Sequence, residues 1–188
     1  MSLTETELRA APDDSTLHKL LSRELQLRLP DGEGYDLDEF VRTLQTLPVG
    51  LRAMASIYQL DVSICLDDLG WHFANWHHRG YCEETLQGLR ELEIAEAADI
   101  FGEAYTIVQP YWDWIGELLR VDFHAFTKWY LDSQLETTLD PLTRRMWQLY
   151  LWKDKDGNNP KGLLDYWPIY ARKYPERCAG SSLRVVSS

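Results

Sequence analysis

Residues 48–66, PVGLRAMASIYQLDVSICL, decide the fold. Pro48 suits the first turn of a helix, and apolar side chains then recur at steps of three and four residues. Polar side chains occupy the opposite side of the same pattern, so the segment predicts a long amphipathic helix. The apolar positions are Leu51, Met54, Ala55, Tyr58, Val62 and Cys65, and the polar positions are Arg52, Ser56, Gln59 and Ser63.

Helix signals recur on both sides of this segment. Ser15 and Asp36 suit N-caps, and Asp140 with Pro141 suits the start of a later helix. No stretch alternates in the manner of a strand. The sequence therefore predicts one all-α domain of about seven to nine helices over residues 15–178, with an acidic leader at 1–14 and a loose tail at 179–188. A helix over residues 163–174 is expected to be kinked or split at Pro168.

Composition and cysteine use narrow the class of protein. The chain has 188 residues, of which 45% are hydrophobic and 12% aromatic, which suits one globular domain. No uninterrupted apolar run reaches the ~18–20 residues of a membrane span, and the N-terminus is too polar for a signal peptide. Three scattered cysteines, Cys65, Cys82 and Cys178, indicate neither a disulfide framework nor a metal site. We therefore expect a cytoplasmic protein that does not associate with membranes.

The charge is acidic and uneven along the chain. The formal net charge is −11, and the isoelectric point is near 4.8. Direct binding to nucleic acid is not expected, because such domains need a basic footprint. Residues 61–120 hold 3 basic and 12 acidic side chains, a net of −9, whereas residues 121–188 hold 10 and 8, a net of +2.

The helix predicted over residues 94–108 places carboxylates on one side. Glu96, Asp99 and Glu103 fall opposite an apolar face at about 100° per residue. Like charges at this spacing repel one another, so the helix itself gains nothing from them. Two interpretations stay open, a solvated face or a surface for a cationic partner. The apolar face comprises Ile94, Ala97, Ala98, Phe101, Tyr105 and Val108.

The candidate partner-binding residues are therefore acidic side chains of the middle third. Their expected partner is a basic protein, either a DNA-binding protein or a toxin, and a homodimer is also compatible with the sequence. They are Asp67, Asp68, Glu84, Glu91, Glu96, Asp99 and Glu103.

Residues that could support catalysis or bind a metal are sparse. His72, His77, His78 and Cys82 lie within eleven residues, but no second ligand pair follows at zinc-site spacing. We expect packed histidines in an aromatic cluster. No hydrolase, nucleotide-binding or dinucleotide-binding motif is present. The sequence thus predicts no metal, no cofactor and no catalytic residue, with an enzyme using a pocket around residues 71–81 as an alternative.

Four segments together resemble the DNA-mimic protein domain family. They are residues 47–61 (LPVGLRAMASIYQLD), 70–75 (GWHFAN), 84–104 (ETLQGLRELEIAEAADIFGEA) and 163–176 (LLDYWPIYARKYPE). These segments comprise 56 of the 188 residues. It implies an all-α fold and, as in the family's namesake members, an acidic surface that imitates DNA phosphates and occupies a DNA-binding protein. An immunity or antitoxin protein that neutralises a toxin encoded nearby is the other binding role that suits this sequence.

Overall fold

The computed structural model describes residues 3–29, 36–151 and 162–180, and every regular element within these ranges is helical. The all-α prediction is confirmed, with more helices than the seven to nine expected. Short 3-10 turns at Gln109–Tyr111 and Leu163–Asp165 precede α8 and α11. The α-helices are α1 (Glu5–Ala10), α2 (Asp14–Arg28), α3 (Leu37–Leu44), α4 (Val49–Leu66), α5 (Leu69–Asn75), α6 (Arg79–Glu91), α7 (Ala95–Val108), α8 (Trp112–Val121), α9 (Phe123–Leu131), α10 (Gln134–Leu151), α11 (Tyr166–Lys173) and α12 (Pro175–Cys178).

Helix α4 is the centre of the core and contacts α5, α6, α10 and α12. The predicted helix is confirmed, but its predicted buried face is partly wrong. Ser56 and Ser63 are buried, whereas Tyr58 is 44% exposed. The two hydroxyls tolerate burial because Ser56 donates to the Ala53 carbonyl at 2.9 Å, and Ser63 donates to that of Gln59 at 2.8 Å. Within the described ranges, α4 is also the one helix long and apolar enough to cross a membrane, and it lies in the core.

Two helix boundaries differ from the prediction. Asp13, rather than Ser15, caps α2, and its carboxylate accepts from the Thr16 amide at 2.7 Å. Pro141 lies inside α10 instead of opening a helix. Although a proline costs a backbone hydrogen bond there, the buried face of α10 continues past it through Leu139 and Leu142. Burial of this face outweighs the local cost.

The final helices divide later than predicted. Pro168 lies in the first turn of α11, where proline is tolerated, and the break comes instead at Tyr174, before α12. Tyr174 has φ −134° and ψ 58°, which is not helical. Proline disfavours a helical conformation in the residue directly before it, so Pro175 accounts for the break at Tyr174.

The residues predicted as an acidic leader pack with the rest of the chain. Thr4 and Glu7 form a capping box at the start of α1, and Leu8 is 1% exposed. The Gly180 amide donates to the Leu3 carbonyl at 3.0 Å, which joins this segment to the end of the described chain beside α12. Residues 181–188 of the predicted loose tail lie outside the described residues.

Candidate functional site

The two faces of α7 are as the sequence predicts. All six residues of the predicted apolar face are at most 7% exposed. Glu96, Asp99 and Glu103 are exposed on the other side. Because the buried face fixes the helix against α6, α5 and α10, these three carboxylates stand on a rigid support. We call them the acidic face.

Two members of the acidic face have no partner within the described part of the chain. Glu103 lies 3.4 Å from an Arg145 guanidinium nitrogen of α10, and both side chains are about half exposed. Neither Glu96 nor Asp99 forms an ion pair with another described residue. No described cation therefore neutralises their charges.

Glu84, a predicted partner-binding residue, is instead an internal ion-pair residue. Its side chain is 6% exposed, and both of its oxygens accept from the Arg52 guanidinium, with Nε 2.6 Å from Oε2. Gln45 donates a third hydrogen bond at 3.1 Å. Helices α4 and α6 approach closely here, since a Cβ on Gly88 would lie 2.9 Å from the Ala53 carbonyl oxygen. Glu84 thus holds the two helices together and presents no surface to a partner.

Some acidic side chains of the middle third form ion pairs with basic side chains of the last third. Glu91 is paired with Arg177, their atoms 2.9 Å apart, and accepts a hydrogen bond from Tyr170. Glu93 is paired with Lys173 at 2.7 Å. The uneven charge along the sequence therefore partly reflects contacts between these thirds, and Glu91 is not a free carboxylate.

Asp67 and Asp68 are adjacent in sequence but differ in role. Asp68 caps α5 by accepting from the Trp71 amide at 2.9 Å, and the Tyr130 hydroxyl donates to it at 3.2 Å. Burial raises the pKa of the Asp68 carboxyl, against the hydrogen bonds that lower it. Asp67 is exposed and has no ion pair among the described residues. Only Asp67 of this pair is open to a partner.

His72 is a core residue in its neutral form. It is 0% exposed, and its Nδ1 lies 3.0 Å from the Ser63 hydroxyl oxygen. Since that hydroxyl donates to the Gln59 carbonyl, the ring must donate from Nδ1, which leaves Nε2 a buried acceptor without a partner. Burial lowers the pKa of His72 to about 3.

The other two histidines make separate structural contacts. His77 stacks on Trp112 with ring centroids 4.2 Å apart and donates from Nε2 to the Trp112 carbonyl at 2.9 Å. His78 caps α6 through Nδ1 and donates from Nε2 to Asp38 at 2.8 Å. The structure does not join these rings and Asp67 into one hydrogen-bonded set. Nor do any three His, Cys, Asp or Glu residues among those described form a group able to hold a metal ion.

Helices α8 and α9 are rich in aromatic residues and pack against each other as a hairpin, and the sequence alone indicates no role for them. Phe126 and Tyr130 are buried and stack with ring centroids 5.4 Å apart, and Trp71 of α5 meets Phe126 edge-on. Other apolar side chains of the hairpin face solvent, and aromatic density alone does not distinguish the two groups. The exposed ones are Trp114, Val121, Phe123 and Leu131.

No protein-family model, no curated protein and no solved structure matches the chain. The acidic face and Asp67 are the predicted site residues that stay exposed, whereas Glu84, Glu91 and Asp68 serve contacts within the chain. An exposed, fixed set of carboxylates can attract a cationic surface and accept hydrogen bonds from it.

Proposed function

We propose that this protein is a binding domain whose acidic face engages a basic protein. The observation that carries the proposal is the pair of exposed carboxylates, Glu96 and Asp99, that no described residue neutralises. Other acidic side chains of the middle third, such as Glu84 and Glu91, do have cationic partners inside the chain. Glu96 and Asp99 stand together on one rigid helix without a described ion-pair partner, so they can offer their charge to another molecule.

A DNA-binding protein is the partner class that we favour. Glu96 and Glu103 are seven residues apart, roughly 10 Å along the helix axis. One DNA strand carries a phosphate about every 3.4 Å along the duplex axis. The three carboxylates thus lie on average about 5 Å apart along the axis, which is about two-thirds of the charge density of one strand. They would occupy some of the phosphate-binding groups of a basic protein. The resemblance to DNA-mimic proteins points to the same class.

The net charge of the whole chain would support this binding kinetically. At −11, the protein attracts a basic partner before contact and speeds association at low salt. Individual exposed ion pairs contribute only about 0.2–1 kcal/mol each. Binding through the acidic face should therefore weaken steeply as salt is added, and reversal of its charges should slow association more than it speeds dissociation.

Charge reversal with a matched control tests the proposal. The test variant is Glu96→Lys with Asp99→Lys, and the control is Glu176→Lys with Asp132→Lys. Glu176, like Glu96, lies in the first turn of a helix, and both control residues are exposed. Because each variant replaces two acidic residues by lysines, the two variants change the net charge equally.

The assay is affinity capture from lysate of the source organism, with quantitative mass spectrometry and capture repeated at 0.05 and 0.3 M salt. We expect one or a few basic proteins to be retained by the wild type and the control and lost from the test variant. Equal retention by both variants, or no basic protein retained by the wild type at low salt, would overturn the proposal.

A further inference from the structure

A cavity of about 420 Å³ lies between α2, α4 and α11, apart from the acidic face. Its volume falls within the ~300–1,000 Å³ of ordinary small-molecule sites. It opens to solvent beside Tyr58, a large side chain that is 44% exposed although it belongs to the central helix.

Among the described residues, the wall of the cavity carries no charged side chain. Apart from the histidine, its residues are apolar or neutral and polar, although 26% of the chain is Asp, Glu, Lys or Arg. A buried charge without a counter-charge is strongly unfavourable. This wall would therefore reject an ionic ligand and accept an uncharged one.

Aromatic rings shape one side of the cavity. The Trp167 indole is 2% exposed, and the His18 ring stacks on it with centroids 5.3 Å apart and planes at 16°. Tyr58 lies at 6.4 Å from the same indole. Because Trp167 is almost fully covered, the ring surfaces open to a ligand are those of the half-buried His18 and the exposed Tyr58. Such surfaces favour a planar ligand, since stacked or edge-on aromatic contacts add to the gain from burial.

Polar groups with unused hydrogen-bonding capacity also belong to this wall. The Trp167 Nε1–H group is buried and has no acceptor among the described residues. The side-chain amides of Gln26 and Gln59 line the cavity, and neither makes a hydrogen bond with another described side chain. The Trp167 Nε1–H lies too deep to face the open cavity, so a ligand that carries an acceptor would be bound by the side-chain amides of Gln26 and Gln59.

We propose that this cavity binds a planar, uncharged small molecule that carries a hydrogen-bond acceptor such as a carbonyl or a ring nitrogen. The inference does not depend on the acidic face. The cavity combines the features of small-molecule sites, a mostly apolar lining with a few polar groups that fix orientation.

The probe for the test is 6-propionyl-2-dimethylaminonaphthalene, an uncharged planar ketone whose emission shifts to the blue in apolar surroundings. We expect saturable binding of one equivalent to the full chain with a blue shift. The anionic probe 1-anilinonaphthalene-8-sulfonate, of similar ring size, should bind at least tenfold more weakly. Absence of saturable ketone binding up to its solubility limit, or equal binding of the anion, would contradict the proposal.

Two variants test whether the ketone binds in this cavity. Ser22→Phe, on the half-buried side of α2, fills the cavity and should weaken ketone binding at least tenfold. Thr106→Phe adds the same ring on the exposed side of α7 and should leave binding unchanged. Should Ser22→Phe fail to give the wild-type circular dichroism spectrum, Gln59→Leu replaces it as a polar-to-apolar change of similar size, with an expected loss of about threefold or more. Wild-type affinity in the folded cavity variant refutes the assignment.

Discussion

Removing Arg52 should destabilise the fold far more than an exposed arginine would. The Arg52→Met variant strands the Glu84 carboxylate, whose side chain is only 6% exposed, between α4 and α6. Breaking a buried ion pair from one side costs about 3–5 kcal/mol. Because 30% of the Arg52 side chain is exposed to solvent, we expect a loss of unfolding free energy at the lower end of this range, about 3 kcal/mol. A chain of this size should then lose about 6–12 °C in Tm.

The Glu84→Met variant and the Arg52→Met/Glu84→Met double variant should lose less stability than Arg52→Met. Glu84→Met leaves a guanidinium that solvent can reach, so we expect a smaller loss of about 1–2 kcal/mol. In the double variant no charge is stranded, and its stability should return to within about 1 kcal/mol of the wild type. The measurement is urea unfolding at pH 7, followed by tryptophan fluorescence with equal m-values required. A double variant as unstable as Arg52→Met would refute this account of the pair.

Two further predictions concern the core. Between pH 6.5 and 5, His72 should cost the wild type about 2 kcal/mol of unfolding free energy, because the unfolded chain gains a proton below 6.5 and the folded chain only near 3. Urea titrations at both pH values should show a smaller loss for His72→Phe, and equal losses would contradict this. Gly88→Ala should cost about 1–3 kcal/mol by forcing α6 away from α4. Gly102→Ala, whose Cβ would meet only Leu86 at 3.5 Å, should be neutral or stabilising by up to about 1 kcal/mol. Thermal unfolding compares the two variants, and equal losses would refute the close approach.

The fold class and the faces of one helix could be predicted because they depend on local pattern. In α7 the apolar residues recur with the period of a helix, and each is buried as expected. In α4 the same reasoning misplaced Ser56, because a serine that bonds to its own helix can enter the core. Periodicity also does not reveal that a buried face continues through Pro141.

The roles of the acidic residues could be predicted only in part. Glu84 and Glu96 look alike in sequence, yet one meets Arg52, 32 residues earlier, and the other meets no described cation. Such pairings depend on which helices become neighbours. The cavity was missed for the same reason, since His18 and Trp167 come together only when α11 packs on α2.

As proposed above, the acidic face occupies the nucleic-acid-binding surface of a basic protein. The most direct measurement is fluorescence anisotropy of a labelled DNA duplex bound to the captured partner, with this protein added as competitor. We predict that the wild type and Glu176→Lys/Asp132→Lys displace the duplex, whereas Glu96→Lys/Asp99→Lys requires at least tenfold more protein. Failure of the wild type to displace the duplex, or equal displacement by both variants, would contradict the claim.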